Sequence, residues 1–316
     1  MKLFIQIPCL NEEETLPDVL ATIPKKVQGI DEIQILVIDD GSTDKTVEIA
    51  RSLGVKHFVQ HRKNQGLAKS FADGLDYCLS HSADIIVNTD GDNQYPQADI
   101  PRLVKPILDG QAEMVVADRQ TRKIAHFSAV KKLFQRFGSW IVNKAAGTKL
   151  PDAASGFRAY SKEAAIRINV ITTFSYCTET IIHAGNKRIP IEAVKIKTNP
   201  KTRESRLFKN IWQHMYKSAI TIIRSFIMHK PYVIFINLGL ILLTAGLIPF
   251  IRYGIIYASG DRGQHIQSLI LGAILLFAAM ISLALAIIAD LIRTNRILIE
   301  ENLEQTKRIK YRKDKK

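Results

Sequence analysis

Residues 231–251 and 266–289 each run without one charged side chain. Each run exceeds the roughly 20 residues that an α-helix needs to cross a bilayer. In lipid, a helix is the structure that satisfies every backbone polar group within one such stretch. The connection between the runs carries Arg252 and Arg262 as its basic residues. The outer flanks are far richer, with Lys201, Arg203, Arg206, Lys209, Lys217, Arg224 and Lys230 on one side and Arg293, Arg296 and the 307–316 tail on the other. The positive-inside rule therefore puts both flanks in the cytosol and the short loop outside. The expectation is a transmembrane hairpin at 231–292, with spans at about 231–257 and 266–292, followed by a basic cytosolic tail at 293–316. Ala278, Ser282 and Ala286 lie four apart on the second span, a spacing that lets helices approach closely, either within the hairpin or in a homo-oligomer such as a tetramer. Asp290 reads as an end-of-helix anchor.

Just before the hairpin, Glu204 is the one acid of the 201–230 segment, and Leu207, Ile211, Trp212, Met215 and Ile222 recur at roughly helical spacing. A basic amphipathic helix with Trp reads as an element lying on a membrane surface. A core-facing helix is the alternative.

The first 200 residues carry a different pattern. Short apolar runs at 3–8, 33–38, 55–59, 85–87, 114–117 and 188–196 read as strands. They alternate with helical segments, the first of them capped by Asn11, and with a basic helical stretch near 121–147. Alternation with short links predicts an α/β domain with a mainly parallel sheet. Polar clusters follow successive strands: 8–13, 39–44, 64–66, 90–94 and 118–119. In a doubly wound sheet such loops share one rim, where ligands bind.

Within that set, Asp90-Gly91-Asp92 ends a buried strand with two carboxylates separated by a glycine that allows a bend. Two carboxylates held so close repel unless a cation lies between them. Alone, the tripeptide reads first as a polar turn. Five polar loops meeting at one rim turn the reading toward a metal site that holds nucleotide phosphates.

The formal charge of +14 calls for an anionic partner. It concentrates beside the apolar runs, where anionic lipid accounts for it, so no nucleic acid is expected. Cys9, Cys78 and Cys177 are scattered and show neither metal-ligand spacing nor a disulfide framework, which fits a reducing compartment. No signal peptide is recognisable at the N-terminus, which is expected to stay in the cytosol.

The residues 7–12 (Ile-Pro-Cys-Leu-Asn-Glu), 37–42 (Val-Ile-Asp-Asp-Gly-Ser) and Asp90-Gly91-Asp92 resemble, in order and spacing, the donor-site motifs of inverting family 2 glycosyltransferases with a GT-A fold. Asn64-Gln65-Gly66 and Ser155-Gly156-Phe157-Arg158 narrow the resemblance to polyisoprenyl-phosphate glycosyltransferases, the dolichol-phosphate mannose synthase group. The two spans are similar to the bacterial bactoprenol glucosyltransferases of GtrB type. The resemblance implies a Rossmann-like GT-A domain at 1–200. It implies that Pro8, Leu10, Glu12, Asp40, Asn64, Gly66, Asp90 and Gly91 bind the donor nucleotide. Asp90, Asp92 and Gln94 would hold Mg²⁺ or Mn²⁺. Arg119, Lys131, Arg136, Arg158, Lys201, Arg203 and Arg206 would face donor or acceptor phosphate. Asp152 takes the position of the family's active-site acid, and with Asp92 and Arg206 it forms the expected catalytic set. Arg203-Glu204-Ser205-Arg206 stands where the family has Gly-Glu-Ser-Lys.

The implied reaction moves a hexose, glucose from UDP-glucose in the first instance, to undecaprenyl phosphate at the cytoplasmic face of the inner or plasma membrane. GDP-mannose and UDP-amino sugars are the alternative donors. A second phosphate pKa near 6 leaves the acceptor oxygen largely ionised at neutral pH, so no strong base is required. Asp152 then orients acceptor or metal, or acts as a weak base. A processive synthase does not fit, because residues 135–140 lack its Gln-x-x-Arg-Trp motif. A silent, membrane-anchored scaffold subunit is the alternative from another class.

Overall fold

The computed structural model describes residues 1–121, 129–171, 176–200, 220, 231–260 and 266–312, without the side chains of 129–135. The chain divides into two compact units, one formed by Met1–Ile223 with Glu304–Lys316 and the other by Arg224–Leu303.

The first unit is built on a seven-stranded sheet. Its strands are β1 (Lys2–Cys9), β2 (Glu32–Asp39), β3 (His57–Gln60), β4 (Ile85–Asn88), β5 (Met114–Asp118), β6 (Arg158–Ser161) and β7 (Ile191–Lys195), in the order β3-β2-β1-β4-β6-β5-β7. Every pairing is parallel except the two made by β6, which runs antiparallel between β4 and β5. The central strands are mostly apolar, and Leu3, Phe4, Ile5, Ile7, Ile85, Ile86, Val87, Met114 and Val115 are all buried. This is the composition of strands covered on both faces. Helices α1 (Leu16–Thr22), α2 (Thr46–Ser52), α3 (Leu67–Ser80), α4 (Ile100–Leu108), α5 (Ala129–Ala146), α6 (Lys162–Arg167) and α7 (Tyr176–Asn186) provide the cover.

Two local expectations change. Asn11 does not cap the first helix. It sits at φ 56°, and α1 begins at Leu16 after a turn in which Glu12 accepts from the backbone N–H groups of Thr15 and Leu16. Strand β6 is also absent from the sequence reading. Arg-Ala-Tyr-Ser offers four residues with polar ends, too short to show a period.

The antiparallel run of β6 decides which segments meet. A parallel strand brings its following loop to the C-terminal rim, whereas an antiparallel neighbour brings its preceding loop there. The pairing of Asn88 with Arg158 therefore puts residues 152–157 at the same rim as the loop after β4. The pairing of Asp118 with Lys195 brings 196–200 to it as well.

In the second unit, helix α8 (Pro231–Ala258) packs against α9 (Ile266–Lys310). Both are long and apolar enough to cross a membrane. The buried residues of α9 are Gly272, Ala279, Ser282 and Ala286, so Ala279 takes the place expected for Ala278. Gly272, Ala279 and Ala286 recur every seven residues, the period that keeps one seam facing a partner helix. The Ser282 hydroxyl donates to the Phe235 carbonyl oxygen at 2.8 Å.

Helix α9 has 45 residues, about 67 Å at 1.5 Å per residue, roughly twice a bilayer's hydrocarbon core. Its last turns, from Glu304, belong to the first unit, and the expected tail at 293–316 is helical to Lys310. There Lys307 donates to Asn169 Oδ1 at 2.7 Å and to the Ile168 carbonyl at 3.1 Å. Arg308 pairs with Glu163, and Lys310 and Tyr311 both reach Asp76. Burial, reinforced by Lys187, pulls the Lys307 amine down to about 8.

Candidate active site

The loop after β1 is stapled to the loop after β2. Asn11 N–H donates to Ser42 Oγ at 2.9 Å, and Asn11 Oδ1 accepts from Thr43 N–H at 2.7 Å. Glu12 N–H donates to Thr46 Oγ1 at 2.8 Å, and Glu13 N–H to Asp44 Oδ2 at 3.1 Å. The polar residues that read as turn formers thus hold two loops together.

Asp40 ties the second loop to the third. Its Oδ1 accepts from Gln65 N–H at 2.8 Å and its Oδ2 from Gly66 N–H at 2.9 Å. His61 joins the same carboxylate through Nδ1 at 2.7 Å, while its Nε2 lies 3.0 Å from Asp73 Oδ2 on α3. Asp40 is thereby the clasp of the Asn64–Gly66 loop. Pro8 is buried in β1, and Asn64 is exposed at the tip of the third loop.

Asp90 and Asp92 follow β4. Asp90 is half-buried, and its Oδ1 is sealed from solvent without a hydrogen-bond partner. Burial first, and the Asp92 carboxylate second, push the Asp90 carboxyl up to about 7. Asp92 Oδ1 accepts from Gln94 N–H at 3.2 Å. The bend comes at Asn93, with φ 56°, and not at Gly91. Gly91 answers a different need: a Cβ there would stand 3.0 Å from Cys9 Sγ and 3.2 Å from Glu12 Cγ, so its lack of a side chain lets this loop pack onto the first. The Thr15 hydroxyl is placed to donate to the Gly91 carbonyl at 2.7 Å.

The 152–157 loop closes over Asp90. Tyr95 Oη accepts from Gly156 N–H at 3.0 Å, and the Gly156 carbonyl accepts from Asn88 Nδ2 at 3.0 Å and from Tyr176 Oη at 3.2 Å. Asn88 is held in turn by Gln6 Nε2 at 2.9 Å. A Cβ on Gly156 would lie 2.8 Å from Tyr176 Oη and 3.2 Å from Asp90 Oδ2. Asn199 closes the other side, donating its N–H to the Gln94 carbonyl and its Nδ2 to the Asn93 carbonyl, both at 3.0 Å.

Asp152 is buried and gripped by Arg119, Nε to Oδ2 at 2.7 Å and Nη2 to Oδ1 at 3.0 Å. Burial alone would raise its carboxyl, but the guanidinium outweighs burial and holds it below the usual carboxylate range. Burial likewise opposes the Arg119 charge, and Asp152 reverses that effect.

Arg158 departs from expectation. It is fully buried, and its N–H groups go to protein acceptors: Nε donates to the Ser155 carbonyl at 2.7 Å, Nη1 to Thr180 Oγ1 at 2.6 Å and Nη2 to the Ala153 carbonyl at 3.0 Å. It braces the 152–156 loop from beneath. Arg136 is exposed on α5. The Lys131 side chain and residues Lys201, Arg203 and Arg206, the last expected to be catalytic, lie outside the described residues. The sequence reading passed over Asn88, Tyr95, Tyr176, Asn199 and His61 as site residues. An Asn closing an apolar strand was the one signal available for Asn88.

The residues fit a hard divalent cation. Asp90 and Asp92 are oxygen donors, and the orphaned Asp90 Oδ1 lacks a partner that a cation would supply. Among the described residues no group of three His, Cys, Asp or Glu side chains could hold a metal. Two carboxylates with the remaining positions left to substrate phosphates and water is the usual arrangement for Mg²⁺.

Residues 4–168 match the family model for glycosyl transferase family 2. The chain belongs to that family. Among similar family proteins is the UDP-N-acetylglucosamine–dolichyl-phosphate N-acetylglucosaminyltransferase of Methanococcus voltae, 27% identical over 220 residues, covering 62% of this chain and 85% of that protein. Another is the undecaprenyl-phosphate mannosyltransferase of Micrococcus luteus, 26% identical over 184 residues, covering 56% and 74%. The crystal structure of glucosyl-3-phosphoglycerate synthase from Mycobacterium tuberculosis with Mn²⁺, UDP-glucose and phosphoglyceric acid is similar with a TM-score of 0.54 and 22% identity, over 72% of this chain and 78% of that one. The family domain has the GT-A fold, a Rossmann-like unit with a mostly parallel mixed sheet.

Proposed function

We propose that this family 2 glycosyltransferase moves a hexose from a nucleotide sugar to a polyprenyl phosphate at the cytosolic face of the membrane. The observation that carries the proposal is the unpartnered Asp90 Oδ1 beside Asp92, at the rim where the loops after the parallel strands meet the 152–157 loop, in a chain that also holds two helices of membrane-crossing length. The relatives named for dolichyl and undecaprenyl phosphate support a lipid acceptor. UDP-glucose is the donor we favour, with GDP-mannose and UDP-N-acetylglucosamine as alternatives.

Asp90 and Asp92, with Gln94, would hold Mg²⁺ or Mn²⁺. When bound, the cation supplies Lewis-acid stabilisation of the charge that builds on the leaving diphosphate. The chain's own residues do the rest. The Asp40 clasp shapes the 64–66 loop for the nucleoside, together with the first loop through Pro8, Leu10 and Glu12. The network of Tyr95, Asn88 and Tyr176 fixes Gly156 against Asp90 and so sets the carboxylate's direction. Asp152 is held ionised by Arg119, which makes it an orienting group for Arg119 rather than a proton acceptor. The acceptor oxygen needs none, being a phosphate monoester largely ionised at neutral pH. Arg119 then presents preorganised positive charge beside the reacting groups. Arg136, Lys201, Arg203 and Arg206 would add cations toward donor or acceptor phosphate.

The test is transfer by the full chain in lipid nanodiscs containing undecaprenyl phosphate, with Mg²⁺ and each radiolabelled donor in turn. The expected product is a lipid-linked sugar, formed with one donor strongly preferred, abolished by EDTA and lost in Asp92→Ala. Binding of nucleotide sugars without lipid-linked product under all these conditions would overturn the proposal.

A further inference from the structure

From Arg119 to Lys149 the chain carries eight Lys and Arg residues and no carboxylate. This stretch leaves the rim after β5 and returns to it at Asp152, where the Arg119 ion pair closes the excursion. Its helix, α5, buries Ser139, Val142, Ala145 and Ala146. On other faces Phe137 and Trp140 are each 56% exposed, with ring centroids 6.0 Å apart and planes 21° from parallel. The Lys144 ammonium sits 5.3 Å from the Trp140 ring centre, and Arg136 is exposed beside them. A shallow groove of about 440 Å³ lies between these aromatics and Leu150–Pro151, one residue before Asp152.

Two large adjacent aromatics left in water at the edge of a buried core need a partner that is apolar and anionic together. The charge selects among candidates. A second copy of this stretch would bring eight like charges against eight. An anionic phospholipid surface offers both requirements, because Trp and Phe settle at the headgroup–acyl boundary while Lys and Arg meet the phosphates.

We propose that the Phe137–Trp140–Lys144 face of α5 inserts into the interface of an anionic membrane, as a lipid contact made by the catalytic domain itself. It adds to the apolar helices a lipid contact whose groove ends at Pro151, one residue before Asp152, which brings a lipid-borne phosphate acceptor close to that residue. That last consequence rests on the acceptor proposed above, whereas the contact itself does not.

The experiment uses the full chain with Trp212→Phe, which leaves Trp140 as the one tryptophan, in nanodiscs of phosphatidylcholine and phosphatidylglycerol. Lipids brominated high on the acyl chain are expected to quench Trp140 emission, and aqueous iodide to leave it largely untouched. Quenching is expected to weaken when phosphatidylglycerol is omitted and in the added Lys144→Glu variant. Trp140 quenched by iodide and indifferent to bromine would overturn the proposal, and so would Trp140 shielded from both, the result for a face covered by protein. No donor, acceptor or turnover enters this readout, so it stands or falls apart from the transferase reading. In support, Phe137→Ala should lower transfer to undecaprenyl phosphate in bilayers while sparing a short-chain prenyl phosphate in detergent. Equal loss with both acceptors would assign Phe137 to acceptor binding instead and overturn its share of the membrane contact.

Discussion

Arg119 and Asp152, 33 residues apart, meet through two parallel N–H···O bonds of 2.7 and 3.0 Å with Asp152 buried. The pair closes the basic excursion between β5 and β6 onto the rim. Because Arg119 keeps 15% exposure, removing its partner with Asp152→Ala should cost about 3 kcal/mol, the lower end for a broken buried pair. Arg119→Ala with Asp152→Ala should recover part of that loss. The folded Asp152 carboxyl lies below its unfolded value, so its contribution is fully present above about pH 4 and disappears as pH falls further. Thermal unfolding in detergent between pH 3 and 8 measures both effects.

Asp90 carries the opposite sign. Its folded pKa is raised to about 7, so the folded state is favoured below the unfolded value near 4 and loses that advantage as pH rises through 7. In EDTA, Asp90→Asn should therefore raise the unfolding temperature, with a gain that grows from about pH 4 to pH 7 and is flat above it. Mg²⁺ should stabilise the wild type more at pH 8 than at pH 6 and leave Asp90→Asn unmoved. A gain independent of pH would contradict a raised Asp90 carboxyl.

Gly156 has no room for a methyl group beside Asp90 Oδ2 and Tyr176 Oη. Gly156→Ala should destabilise the domain by about 1–3 kcal/mol, the usual range for overpacking. It should weaken Mg²⁺-dependent stabilisation at the same time, since the displaced atom includes the carboxylate. Gly110→Ala, at a position with open space but φ 70°, serves as the control: it should cost stability through backbone strain alone and leave the Mg²⁺ response intact.

His61 bridges Asp40 and Asp73. Removing it with His61→Ala frees the clasp that holds Gln65 and Gly66. A hydrogen bond to a charged group is worth about 1.5–3 kcal/mol, so the KM for the nucleotide sugar should rise on the order of tenfold to a hundredfold. The kcat should change far less, because nothing in the clasp touches the reacting atoms. His61→Asn, whose amide can still donate to Asp40, should recover part of the affinity. Steady-state kinetics at saturating acceptor separates the two constants.

The linear order of residues determined the two apolar helices, the alternating strands and helices, and the rim loops that end in acids and amides. These features rest on local physics: a run without charge partitions into lipid, and apolar residues recur with the period of the element they belong to. The Asp90–Asp92 pair was legible for the same reason, since one intervening glycine keeps two like charges close whatever the fold. What the tertiary structure decided depends on contacts between residues far apart in the chain. Strand β6 reverses direction and carries Gly156 onto Asp90, 68 residues separating its carbonyl from its partner Asn88. Arg158 is a cation like Arg119, yet it is fully buried and donates two N–H groups to the 153–155 loop and a third to Thr180 on α7, while Arg119 stands at the rim on Asp152. No property of an arginine in sequence separates those two fates. They are set by which carbonyls and carboxylates the packed sheet and helices place around each guanidinium, and a buried charge persists only where such partners are waiting.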